Sequence, residues 1–151
     1  MSTTKTFRGR LTNDTQDRIY LAGGQDDIGY RITKFQIMGI NENTDYEGTV
    51  QIFKQKQTSF TDNVNFNDDA LLAAALYSDS TSGGEFAAQT IIFDQEVVNQ
   101  DLYVTLSGPT MNNFMNYYIE MEEVKMKDAH VAVVNYNAAL LHGEWVLPFT
   151  S

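Results

Sequence analysis

The sequence contains no cysteine, two prolines, one tryptophan and two histidines. Without cysteine there is no thiol nucleophile, no redox pair, no thiolate zinc site and no disulfide framework. No stretch approaches the roughly 18–20 apolar residues of a membrane helix. The polar start, Met1-Ser2-Thr3-Thr4-Lys5, is not followed by the apolar region of a secretory signal, so the expectation is synthesis in a cytoplasm. Basic residues are scarce as well: 10 against 20 acids leave a formal charge of −10. That balance disfavours nucleic acid, whose phosphates would meet repulsion over most of the surface. What is present is ordinary for a folded chain, with 42% hydrophobic and 20% charged residues in a length of 151. Such a length fits one domain over residues 1–151 and can bury roughly 68–70% of its unfolded surface without a metal or disulfide staple.

The charge is unevenly placed. Residues 1–56 hold eight basic groups against seven acids, whereas residues 57–151 hold Lys125 and Lys127 against thirteen acids. Lys5, Arg8 and Arg10 give the first ten residues +3 with no acid among them. A chain so polarised can meet its own copies head to tail, or steer its basic end onto an acidic partner.

Hydrophobic periodicity is mostly that of strands. Phe7 and Leu11 alternate with Arg8 and Arg10, and Ile19 and Leu21 with Arg18 and Tyr20, until Gly23-Gly24 breaks the run. From Tyr30 to Ile40 the phase switches between Ile32 and the pair Phe35 and Ile37, which predicts a bulge or a passage between sheets. Tyr46, Val50 and Ile52 share a face opposite Thr49 and Gln51. Ile91-Ile92-Phe93 reads as a short buried strand, and Leu102, Val104 and Leu106 alternate with Tyr103, Thr105 and Ser107. In the long strand from Phe114 to Met126, Met115, Tyr117, Ile119 and Met121 share a face while Val124 and Met126 take the other. A bulge at Glu122-Glu123 is therefore expected.

Two segments read as helix. Asp68-Asp69 precedes Ala70-Leu71-Leu72-Ala73-Ala74-Ala75-Leu76, rich in strong helix formers, and the polar tract 78–84 would end it as a surface loop. Asp128 would cap a second helix through Ala132, Val133, Tyr136, Ala139 and Leu140 to Gly143, with strand as the alternative for 130–134. About seven strands and two short helices predict a mainly β chain, an antiparallel β-sandwich of jelly-roll-like topology.

Motifs of known chemistry are few. His130 and His142 lie twelve apart, not at the i, i+4 spacing of a helical metal pair. Glu122 and Glu123 are consecutive on a strand and point to opposite faces; Glu120 and Glu122 share one, as solvated strand carboxylates often do. No GxSxG elbow accompanies the serines, and Gly23-Gly24 and Gly83-Gly84 match no phosphate loop. Oxygen side chains alternate through Asp62 to Asp69, a pattern that either holds Ca²⁺ or forms a polar loop running into a helix cap. Asn13-Asp14-Thr15 is a glycosylation sequon without a secretory signal. Seventeen Tyr and Phe residues, many in β-periodic segments, suit a core, a subunit interface or a sugar-binding face. No catalytic residue, metal ligand or cofactor is called for.

Three stretches resemble short virion structural proteins of marine tailed bacteriophages. They are Tyr30-Arg31-Ile32-Thr33-Lys34-Phe35-Gln36, Phe93-Asp94-Gln95-Glu96 with Asn99-Gln100-Asp101-Leu102-Tyr103-Val104-Thr105, and Asn116-Tyr117-Tyr118-Ile119-Glu120. The resemblance implies a particle component, first a head decoration or cement protein and next a tail, neck or fibre component. It adds other virion proteins, such as the major capsid protein, as partners. The aromatic and methionine content without a catalytic constellation predicts a homo-oligomer, a trimer for a decoration protein. The charge and the lack of long apolar runs predict no nucleic acid or membrane as partner. No functional residues come with the resemblance. From the residues themselves, Lys5, Arg8 and Arg10 are the candidate partner-docking groups, on an N-terminal docking strand or arm over residues 1–12. The other expectation is that they protect an edge strand from aggregation. A carbohydrate-binding β-sandwich is the alternative from a different class.

Overall fold

Alternation of apolar and polar residues is obeyed wherever a strand has one dry face and one wet one. In the computed structural model, which describes residues 3–21, 27–39, 47–80, 85–93, 96–109 and 114–125, nine strands result. They are β1 (Thr4–Thr12), β2 (Thr15–Ile19), β3 (Ile28–Met38), β4 (Glu47–Phe53), β5 (Leu71–Ser80), β6 (Glu85–Ile92), β7 (Val97–Val98), β8 (Leu102–Ser107) and β9 (Phe114–Lys125). Sheet A runs β1-β9-β3-β7 and sheet B runs β2-β8-β4-β5-β6, with every pairing antiparallel. The two sheets share one core. Leu11, Phe35, Met115, Ile119 and Met121 of sheet A meet Val50, Ile52, Leu102, Val104 and Leu106 of sheet B. Each side chain of this size contributes about 1.5–3 kcal/mol when fully buried.

The phase switch in β3 is a bulge. Register shifts between Ile32 and Lys34 along β9, so Thr33 is the extra residue and both Ile32 and Phe35 face the core. Thr33 Oγ1 donates to the Glu120 carbonyl at 3.2 Å. The bulge expected at Glu122-Glu123 does not occur: β9 keeps register with β3 through Lys125, and Val124 lies opposite Gly29 on the outer side. The irregularity belongs to the partner strand.

The first expected helix is strand β5. Leu71 to Ala75 are buried on both faces, between β4 and β6, and ladder pairing overrides the helical preference of alanine. Asp68 still caps, but it caps a turn: its Oδ1 accepts from the Ala70 N–H at 2.9 Å, just before the strand starts. Residues 78–80, expected in a loop, continue β5. Ile91, expected buried, is 41% exposed on edge strand β6. The second expected helix, the Gly23-Gly24 break, Tyr46, His130 and His142 lie outside the described residues. Among the described residues no helix is long and apolar enough to cross a membrane.

Sheet B is covered outside by its own chain. Residues 54–70 cross the outer face, where Thr49 Oγ1 donates to the Asp62 carbonyl at 3.0 Å and Gln51 Nε2 to the Thr61 carbonyl at 3.2 Å. Gln16 of β2 exchanges two hydrogen bonds of 3.1 Å with the backbone of Gln57. As a result Gly48 to Phe53 are buried at every position, and no alternation remains in β4.

Candidate functional site

Strand β1 is an edge strand, hydrogen-bonded to β9 along its whole length. Its inward positions are Lys5, Phe7, Gly9 and Leu11; its outward ones include Arg8 and Arg10. Residues 4–12 are thus part of the sheet, and what they offer a partner is a face.

The three candidate docking residues separate. Lys5 sits at the end of the inward row, with Nζ 3.6 Å from Glu123, donating to the Tyr30 hydroxyl at 3.4 Å and lying 5.4 Å from the Tyr30 ring centre. The Tyr30 hydrogen bond first, with Glu123 adding to it, pushes its pKa above the ordinary lysine value. Lys5 is therefore engaged within the fold. Arg8 and Arg10 stay together, exposed on the outer face, and neither forms an ion pair among the described residues. The Arg10 guanidinium lies 5.6 Å from the Phe114 ring centre, a cation–π distance.

Strand register builds a three-by-three grid around the two arginines. Arg8 lies beside Tyr118 and then Gln36; Gly9 beside Tyr117 and Ile37; Arg10 beside Asn116 and Met38. The outer rows carry the cations, a tyrosine, two amides and a methionine that is 70% exposed. These nine residues, with Thr90 of β6, line a groove of about 760 Å³.

Neighbouring acids on this face are already matched. Glu122 pairs with Arg31 at 2.7 Å, and Glu120 accepts from the Tyr118 hydroxyl at 2.9 Å with Lys34 at 3.8 Å. The Tyr118 phenol is held protonated beyond its usual range by that hydrogen bond. Four cations (Arg8, Arg10, Arg31, Lys34) thus stand against two carboxylates (Glu120, Glu122) on the outer face, within a chain of −10. Successive outward residues on a strand are about 6.6–6.8 Å apart. Two guanidiniums at that spacing can each take a carboxylate through two parallel hydrogen bonds.

Underneath, Gly9 allows the middle row to close. A Cβ there would fall 2.7–2.8 Å from the Tyr117 ring. That ring is buried, and its hydroxyl donates at 2.8 Å to Asp17 on β2, joining the two sheets. Burial first, then the Asp17 hydrogen bond, raises the Tyr117 pKa far above the ordinary phenol value.

Elsewhere the chemistry-bearing residues are held by local structure. Among the described residues no cluster of three or more His, Asp or Glu could hold a metal. Oxygens of the 62–69 stretch are in use: the Asp62 carbonyl accepts from the Thr49 hydroxyl, Asn65 Oδ1 from the Asn67 N–H and Asp68 Oδ1 from the Ala70 N–H. In the sequon, Asn13 Nδ2 donates to the Gly108 carbonyl at 3.0 Å, so the amide a glycan would need is in use.

The sequence pointed to Arg8 and Arg10 but missed Tyr118, Gln36, Asn116 and Met38. Each shows the outward phase of its own strand; what brings them together is register, which a single sequence does not state. No known protein family and no curated protein matches the chain's sequence.

Proposed function

We propose that this is a non-enzymatic virion structural protein, a capsid decoration or cement protein that self-associates and docks on the viral shell. The observation that carries the reading is the outer face of sheet A, where exposed Arg8 and Arg10, without an ion pair among the described residues, line a groove with Tyr118, Met38, Gln36 and Asn116. Arginine, aromatic and methionine side chains are the groups enriched where proteins meet. The acidic remainder of the chain orients this face toward a partner surface carrying carboxylates, such as that of a major capsid protein.

Strand order supports a jelly-roll-like sandwich. Setting β6 aside, each sheet has four strands, and the chain changes sheet at every step except from β4 to β5. That is the double Greek-key path of jelly rolls, an architecture found in viral capsid and lectin domains. The resemblance of three stretches to phage virion proteins favours the particle as location.

Substitution tests the face more cleanly than deletion, since removing residues 1–12 would also strip Leu11 from the core. Arg8→Ser with Arg10→Ser should leave the folded chain intact and abolish incorporation into particles, with the wild type released by salt. Buried docking contacts of this kind cost about 2–5 kcal/mol when one partner is lost, against roughly 0–1 for exposed pairs. Unchanged incorporation and salt sensitivity would discard the docking role and leave edge protection.

The groove supports a second reading, a carbohydrate-binding module, because Tyr118, Gln36, Asn116 and the arginines supply a stacking ring and amide donors. Glycan-array binding lost with Tyr118→Ala would favour it over shell docking. A tail, neck or fibre location would use the same face and would show in where the protein sits on the particle.

A further inference from the structure

Four strand edges bound the two sheets: β1 and β7 in sheet A, β2 and β6 in sheet B. Three are blunted in the ways that discourage strand addition. β1 carries Lys5, Arg8 and Arg10; β2 is five residues long with Asp17 and Arg18 within it; β7 has two residues. β6 differs. It runs for eight residues, its one charge is Glu85 at the first position, and the sequence stays uncharged from Phe86 to Phe93. Its outer edge has no ladder partner among the described residues; β3 approaches it across the seam between the sheets without joining it.

Beside that edge, residues 64 and 66 of the covering segment and the outer face of sheet B leave an apolar patch open. Leu76 and Ile91 are each 41% exposed and Phe66 is 63% exposed. With Val64, Ala74 and the polar Gln89 and Thr90 they line a groove of about 600 Å³. Leu76 lies opposite Gln89, and Ala74 opposite Ile91, so these positions belong to the same outward rows.

We propose that β6 is a self-association edge, pairing antiparallel with β6 of a second copy so that sheet B continues across a two-fold axis. The occupant follows from charge. Every copy carries −10, so two copies repel over most approaches and come together where both surfaces are neutral. The β6 edge meets that condition on both sides at once, which suits the self-complementary contact of a two-fold dimer. A two-fold perpendicular to the sheet keeps both outer faces on one side. It thereby sets the two Leu76–Ile91–Phe66 patches side by side as a single apolar strip, while the backbone groups of each edge find partners. The inference sharpens self-association from oligomer to dimer, and it stands independently of any role on a viral shell.

The absence of cysteine makes the test direct. Opposed residues near a two-fold in an antiparallel pair have Cα atoms about 4.5–5.5 Å apart, inside the roughly 4.4–6.8 Å that a disulfide spans. Gln89→Cys and Thr90→Cys, both at exposed positions, cover the two registers that centre on this stretch; Thr6→Cys on the β1 edge is the control. Sedimentation of the full chain should give a dimer. Mild oxidation should cross-link copies through residue 89 or 90 and not through residue 6. Ile91→Lys and Gln89→Lys, checked for unchanged circular dichroism, should each weaken the dimer by about tenfold or more. A monomer at all concentrations, a trimer, cross-linking through residue 6, or a dimer indifferent to both lysine variants would overturn the proposal. Particle incorporation is read separately, so loss of shell docking leaves this result untouched.

Discussion

The outer faces of the two sheets are built to opposite plans. On sheet B the chain seals its own surface: Thr49 and Gln51, polar and almost fully buried, donate to carbonyls of the 54–70 segment lying over them. On sheet A the matching surface is left open, with Arg8, Arg10, Gln36 and Met38 exposed. Polar side chains hold the chain to itself on one face and are free for a partner on the other. A buried amide without its acceptor is costly, whereas an exposed one is already satisfied by water. Substitutions should therefore register as stability where residues 54–70 cover sheet B and as binding on the outer face of sheet A.

Largest should be the effect of opening the core the two faces share. Ile52 of sheet B and Ile119 of sheet A are both fully buried. Either one changed to Ala should lower stability by about 2–5 kcal/mol in denaturant titration. A large difference between the two would mean that the sheets do not unfold together.

The next effect lies at the clip between sheets. Gly9→Ala drives a methyl against the Tyr117 ring and should cost about 1–3 kcal/mol. Tyr117 also sets an alkaline limit. Its phenol stays neutral in the folded chain past the ordinary ionisation value of 10.0, because burial and Asp17 oppose the phenolate. The stabilisation is complete below about pH 10, where the unfolded phenol is neutral too, and drains away as pH rises above it. Tyr117→Phe should flatten that part of the stability profile in thermal melts across pH 8 to about 11.

Smallest, and most direct for the contrast of faces, is a pair of glutamines. Gln51→Ala leaves the Thr61 carbonyl without its donor and should cost about 1–3 kcal/mol, with faster proteolysis in residues 54–70. Gln36→Ala on the open face should stay within about 0.5 kcal/mol. Equal costs would erase the distinction between sealed and open faces.

How much of this was legible depended on the chemistry of each strand's outer row. β1, β8 and β9 have polar outer rows, so period-2 alternation exposed Leu11, Leu102, Val104, Leu106, Met115, Ile119 and Met121 as core positions. The β3 bulge was legible because Ile32 and Phe35 are three apart. β5 was not: covered on both faces, Leu71 to Ala75 show no alternation, and composition alone reads as helix. The bulge assigned to β9 came from Val124, which is merely half-buried on the outer side. At the site, Arg8 and Arg10 were visible as a local pattern. Lys5 was grouped with them on charge alone, and strand phase puts it in the inward row. Tyr118, Gln36, Asn116 and Met38 depend on pairing between segments about 80–110 residues apart, and Asp17 reaches Tyr117 across the core; neither leaves a mark in local sequence.

Strand order also dictates when each sheet can exist. Sheet B contains the meander β4-β5-β6, whose members follow one another in the chain and can zip as soon as they are made. In sheet A no two neighbouring strands are consecutive, and β9 is the hub that joins β1 to β3. During synthesis at roughly 5–20 residues per second, β1 must wait unpaired, and β3 has only the two-residue β7 beside it, until residues 114–125 emerge. A nascent chain stopped before Phe114 therefore has half a protein: the five strands of sheet B, and two long strands of sheet A without the one that joins them.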